Sequence, residues 1–218
     1  MINLGTGKTT LVSRVIKDLQ RESKDHKPVV YFYFGHHDQN RNKFQAMLVS
    51  VLAQLVSVDE TLLEFAHDRL ASTGFRDAFQ MPLGELQSLV ATALQSQRFC
   101  FVVLDALDEC SSEHGQCQYI VKWLNDFTPE RKESPSSFQS ENILRIFVSG
   151  RRNGDLDKWL RTWPTIRLEA VPGHMHDIRQ FVENRSQYLQ NKFSLGKQTK
   201  LDIVQGVTSR AQGMAFPT

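Results

Sequence analysis

Apolar residues recur at helical spacing near the start of the chain. Leu11, Val12, Val15, Ile16 and Leu19 share one face over residues 8–20, while Arg14, Lys17 and Asp18 fall elsewhere. Pro28 then leads into Val29-Val30-Tyr31-Phe32-Tyr33-Phe34, a β-branched and aromatic run that predicts a strand buried on both faces, as in parallel sheets. Phe44, Met47, Leu48, Val51, Leu52 and Leu55 return to helical spacing, and weaker helical patterns cover residues 60–70 and 83–95. Residues 99–104 predict a second buried strand, ending in Asp105-Ala106-Leu107-Asp108-Glu109-Cys110. Residues 143–148 predict a third apolar strand, ending in Ser149-Gly150-Arg151-Arg152. Between them, residues 119–127 look helical, and residues 128–142, rich in proline and serine, read as a loop. A short helix over 154–159 and a short strand over 165–168 follow. A helix over 177–189 carries Ile178, Phe181, Val182, Arg185 and Leu189 along one side, and a last helical pattern covers 197–214. Trp123, Trp159 and Trp163 lie in helix-like apolar patterns and are expected in the core.

Strands that alternate with helices argue for an α/β fold with a mostly parallel sheet in three layers. A length of 218 residues suits one sizeable core followed by a fragment of a second region. The predicted division is a core over 1–172 and the beginning of a helical region over 173–218. A net charge of +2 without a Lys/Arg block points to neither nucleic acid nor a membrane surface. Three cysteines, Cys100, Cys110 and Cys117, suggest reduced thiols in a cytoplasmic setting rather than a disulfide framework. No apolar run approaches membrane-spanning length. The Asn184-Arg185-Ser186 sequon lies inside a predicted helix and reads as coincidence.

Chemistry enters with Gly5-Thr6-Gly7-Lys8-Thr9-Thr10, directly before the first helix. Glycines let backbone N–H groups close round phosphate oxygens, a lysine reaches the β and γ phosphates, and a Ser/Thr hydroxyl meets Mg²⁺. Gly7, Lys8 and Thr9 match those roles, at the helix N-terminus that anion binding favours. Ile2 stands where the motif asks for its first glycine, and only Met1 to Leu4 remain for the preceding strand. The acidic strand end supplies Asp105 to act on Mg²⁺ through its water shell, with Asp108 or Glu109 to orient water. Arg151 would meet charge on the γ phosphate. The candidate set is therefore Asp108, Glu109 and Arg151 as catalytic residues, 5–10 as the nucleotide loop, and Thr9 with Asp105 for Mg²⁺. The set converges only if the strand ends share one edge. Asp108 and Glu109 have a plainer reading as charges near the start of the next helix. Cys110, His114 and Cys117 have spacings compatible with Zn²⁺ but lack a fourth ligand at motif spacing. His36 and His37 read as a solvated loop, and His174 and His176 as the start of a helix.

Together these residues resemble the NACHT-type P-loop NTPases of the STAND class, and most closely the nephrocystin-like N-terminal domains common in large fungal proteins. The resemblance runs from GTGKTT through FVVLDALDEC and IFVSGRR to HDIRQFVENR. It implies a P-loop NTPase sheet of order 5-1-4-3-2 with its first strand missing or incomplete, a Walker B role for Asp105, and a sensor role for Arg151. It also implies ATP or GTP with Mg²⁺, truncation at both ends, and effector and repeat domains through which protein partners act. Nucleotide-dependent oligomerisation belongs to the full-length protein in that picture.

The leading expectation is a nucleotide-dependent signalling switch module with weak NTP hydrolysis. The alternative is a non-catalytic interaction or scaffold fragment that no longer binds nucleotide. A small-molecule kinase would need an acceptor-binding acid and lid arginines, for which Asp38 and Arg41 offer little. A guanine-specific Asn-Lys-x-Asp motif is absent, since Asn42-Lys43 and Asn191-Lys192 both lack the Asp.

Overall fold

The computed structural model describes residues 8–23, 27–36, 38, 40–110, 115–127, 143–151 and 154–213. Gly5, Thr6, Gly7, the strand expected over Met1 to Leu4, His37, His114, the loop over 128–142, Arg152 and the tail after Gly213 lie outside them. The chain divides into two compact units, Gly7–Thr162 and Trp163–Thr218.

In the first unit, helix α1 (Lys8–Glu22) is followed by strand β1 (Val29–Tyr33) and helices α2 (Phe44–Val56), α3 (Glu60–Thr73) and α4 (Leu83–Ser96). Strand β2 (Phe99–Asp105), helix α5 (Gln116–Asn125), strand β3 (Ile143–Val148) and helix α6 (Gly154–Trp159) complete it. The strands form a parallel sheet in the order β1-β2-β3, with Tyr31 beside Val103 and Val103 beside Phe147. Parallel pairing needs crossovers, and the helices between the strands supply them. The fold is thus mixed α/β, with a small parallel sheet and mostly helices.

Strand alternation gives the sheet two faces. On one, Val12 and Ile16 of α1 pack with Val103, joined by Leu19, Val29, Tyr31 and Tyr33. On the other, Val30, Phe32, Val102 and Leu104 are buried. α2 lies against β1 and α4, and its Phe44, Met47, Leu48, Val51, Leu52 and Leu55 are all buried, as their spacing predicts. Phe44 stacks edge-on with Trp123, which meets Phe127 in the same way, so aromatic rings tie α2 to α5. β1 is edged by a side chain: the Gln54 amide accepts from Tyr31 N–H at 3.0 Å and donates to Tyr31 C=O at 2.8 Å. β3 spans the apolar run expected, and Ile143, Arg145 and Phe147 on its α1-side face are exposed.

In the second unit, helices α7 (His174–Phe193) and α8 (Lys197–Gly213) pack together through a turn at Ser194. The short strand expected over residues 165–168 is not one. Among the described residues they form no ladder, Ile166 is exposed, and a 3-10 turn begins at Leu168. Among the described residues no strand neighbours them to satisfy their backbone groups. α7 also differs from its predicted side: Val182 and Ser186 are buried with Ile178 and Leu189 half-buried, while Phe181 and Arg185 are exposed. Trp159 and Trp163 are half-buried rather than core. Among the described residues no helix is long and apolar enough to cross a membrane.

Candidate functional site

Parallel order brings the carboxyl ends of β1, β2 and β3 to one edge of the sheet. The chain leaving β1 is held there by Phe34 N–H on the Asp105 carbonyl, 2.9 Å. The chain leaving β3 is held by Ser149 N–H on the Leu104 carbonyl, 2.8 Å. Beyond β2 the backbone turns through Ala106, whose φ of 56° is left-handed, into a 3-10 turn at Leu107–Glu109. Few residues other than glycine adopt that conformation, and hydrogen bonds from the end of β3 hold it here. Ala106 N–H donates to Ser149 Oγ at 3.1 Å, and Leu107 N–H donates to the Ser149 carbonyl at 2.9 Å.

Five of the predicted residues meet at this edge. Lys8, the first residue of α1, donates from Nζ to the Gly150 carbonyl at 3.1 Å. Asp105 is buried at 2 % exposure, and its Oδ1 accepts from Ser149 Oγ. Asp108 Oδ1 accepts from Arg151 N–H at 2.9 Å, and its Oδ2 lies 3.8 Å from Arg151 Nε. Glu109 Oε1 lies 3.9 Å from Arg151 Nη2, while Oε2 accepts from His36 N–H at 3.3 Å. Asp108 and Glu109 therefore face the loops after β3 and β1 instead of capping α5, whose N-cap is Gly115. Thr9 and Thr10 are exposed in the first turn of α1.

Gly150 occupies the closest approach. A β carbon there would lie 3.2 Å from Asp108 Oδ1 and 3.5 Å from Asp108 N, so the bare backbone is what lets the loop after β3 lie against the acidic turn. Ser149 and Gly150 escaped the sequence reading as site residues, although the small polar pair at a strand end was the available signal. Asp38 and Arg41 pair with each other at 2.7 Å, and that bond, with Asn40 N–H, holds the Asp38 carboxyl below its ordinary value. Cys117 donates to the carbonyls of Leu107 and Cys110, and no group of three or more metal-ligating side chains occurs among the described residues.

A parallel α/β sheet, three-stranded among the described residues, with Lys8, Asp105, Asp108, Glu109 and Arg151 gathered at its carboxyl edge is the class that fold and site define. Within it, the family model described as "Nephrocystin 3, N-terminal" matches residues 2–151, and the chain belongs to that family. No curated protein and no solved structure matches the chain.

Proposed function

We propose that this edge is a site for a nucleoside triphosphate with Mg²⁺, and that the chain is a nucleotide-dependent switch module of NACHT/STAND type on a P-loop NTPase fold. One observation carries the reading: the lysine of the Gly-Lys-Thr sequence bonds to the loop that holds Arg151, beside Asp105, Asp108 and Glu109. The donor set suits the group. Lys8 contacts a neutral carbonyl, so that contact leaves its charge available to a phosphate, and Arg151 is 52 % exposed. Asp105 is a buried carboxylate with one oxygen fixed.

Lys8, with the 5–7 backbone, would hold the phosphates, and Thr9 with Asp105 would hold Mg²⁺ through oxygen and water contacts. Mg²⁺, when bound, neutralises charge on the phosphate oxygens. Asp108 or Glu109 would orient water, and Arg151 would exchange its two carboxylates for the γ phosphate. Its ion-pair separations of 3.8 and 3.9 Å make that exchange inexpensive. Hydrolysis is expected to be weak, because Asp108 Oδ1 stays bonded to Arg151 N–H and Glu109 Oε2 to His36 N–H, which leaves one oxygen of each carboxylate for water. Effector and repeat domains of a longer protein would read the nucleotide state.

Titration with a fluorescent nucleotide analogue in Mg²⁺ tests the reading, with Lys8→Ala as the control. Saturable binding by the wild type and its loss in the variant are expected; equal behaviour of the two sinks the proposal. The second reading, a scaffold fragment that no longer binds nucleotide, draws on the same internal pairing. Lys8 on Gly150 and Arg151 N–H on Asp108 complete the edge from within.

A further inference from the structure

Ser149 bonds to four successive residues at the end of β2. Its N–H donates to the Leu104 carbonyl at 2.8 Å and its carbonyl accepts from Leu107 N–H at 2.9 Å. Its hydroxyl oxygen accepts from Ala106 N–H at 3.1 Å and donates to Asp105 Oδ1. The two hydroxyl bonds are complementary. Accepting from a backbone N–H leaves the hydroxyl proton to point at the carboxylate, which fixes Oδ1 and with it the rotation of the whole group. The same bonds stabilise the left-handed Ala106, after which the chain places Asp108 and Glu109 beside Arg151.

We propose that Ser149 is a positioning residue for the Mg²⁺-dependent part of nucleotide binding, acting through Asp105 and through the turn at Ala106. This rests on the nucleotide reading above. The hydroxyl comes from the strand beside the one that bears Asp105, so carboxylate orientation depends on β2 and β3 keeping their register. Groups that hydrogen-bond a metal-site carboxylate orient it, and their removal typically weakens metal affinity by about 10–100-fold.

The test compares Ser149→Thr with Ser149→Val in the full chain, because the two side chains share a shape and differ in the hydroxyl. A fluorescent ATP analogue is titrated once with Mg²⁺ and once with EDTA, and the melting temperature is recorded for each variant. Wild type and Ser149→Thr should both bind more tightly with Mg²⁺ than without. Ser149→Val should bind in EDTA within about threefold of wild type while losing about tenfold of the Mg²⁺-dependent gain. Ser149→Ala, smaller and without the hydroxyl, should behave as Ser149→Val does. A Ser149→Val protein that keeps the Mg²⁺ gain overturns the proposal and leaves the nucleotide reading standing. Equal losses in Mg²⁺ and EDTA also overturn it, since they mark a purely structural bracket. A wild type that binds in neither condition overturns both.

Discussion

Gly150 offers a quantitative probe of how the loop after β3 engages the acidic turn. Replacing it by alanine puts a methyl 3.2 Å from Asp108 Oδ1, 3.5 Å from Asp108 N and 3.5 Å from Leu156 Cδ1. The two longer separations are ordinary contacts. The shortest requires the carboxylate to move, and Oδ1 is the atom that accepts from Arg151 N–H at 2.9 Å. A hydrogen bond to a charged group contributes about 1.5–3 kcal/mol. Against that, Gly→Ala stiffens the unfolded chain and stabilises by about 0.4–1 kcal/mol. Complete loss of that bond sets the upper limit, so Gly150→Ala should destabilise by at most about 2.6 kcal/mol, the largest bond value less the smallest gain. With a urea m-value of about 2.5 kcal/mol/M, the midpoint should fall by at most roughly 1 M. Urea unfolding followed by circular dichroism measures it. The decisive comparison repeats the substitution in an Asp108→Ala background, where no carboxylate stands in the way. There Gly150→Ala should be neutral, or stabilise by about 0.4–1 kcal/mol. Equal destabilisation in both backgrounds refutes the reasoning, since the crowded group would not be Asp108.

Asp59 caps α3 by accepting from Thr61 N–H and Leu62 N–H, so Asp59→Ala should cost about 0.5–2 kcal/mol in urea unfolding. Hydrogen bonds from Thr61 and then Gln97 hold its carboxyl below the ordinary 3.8. A depressed folded value means the stabilisation is fully present above the unfolded value and is lost as pH falls through the folded one. The advantage of wild type over Asp59→Asn should thus be flat above about pH 5 and shrink below pH 3.8; a constant difference would contradict the assignment. For the thiols, a hydrogen bond with Cys110 holds Cys117 below its ordinary 9.0, whereas burial pushes Cys100 up to about 12. Iodoacetamide at mildly alkaline pH should label Cys117 well before Cys100, as read by mass spectrometry of peptides, and comparable native-state labelling of Cys100 would refute the order.

Most elements were legible because their signals are local. The spacing of Phe44, Met47, Leu48, Val51, Leu52 and Leu55 identifies a buried helix face whatever lies elsewhere, and the apolar run ending at Asp105 identifies a strand by its own composition. The site was legible as residue types, since a lysine at a helix start and acids at a strand end carry their chemistry with them. Its wiring was not. Ser149 and Asp105 stand 44 positions apart, and Arg151 and Asp108 stand 43 apart, so no window of local pattern contains either bond. Residues 165–168 failed for the converse reason. Alternation around Ile166 satisfies a local rule for strands, but a strand also needs a partner, and pairing is not a property of four residues. Phe181 shows the same limit on a helix: spacing put it beside Val182, and packing buried Val182 while leaving Phe181 exposed.

Gln54 closes the β1 edge of the sheet at Tyr31. A side-chain amide carries the same donor and acceptor as a peptide group, so at Tyr31 it occupies the place where a neighbouring strand would bond. The amide is itself anchored one turn back in α2, on the Ser50 carbonyl at 3.0 Å and hydroxyl at 3.2 Å. Edge strands recruit other chains through unpaired backbone groups. At Tyr31 the β1 edge is therefore stopped by a residue of its own protein, and a strand approaching there meets a backbone already paired.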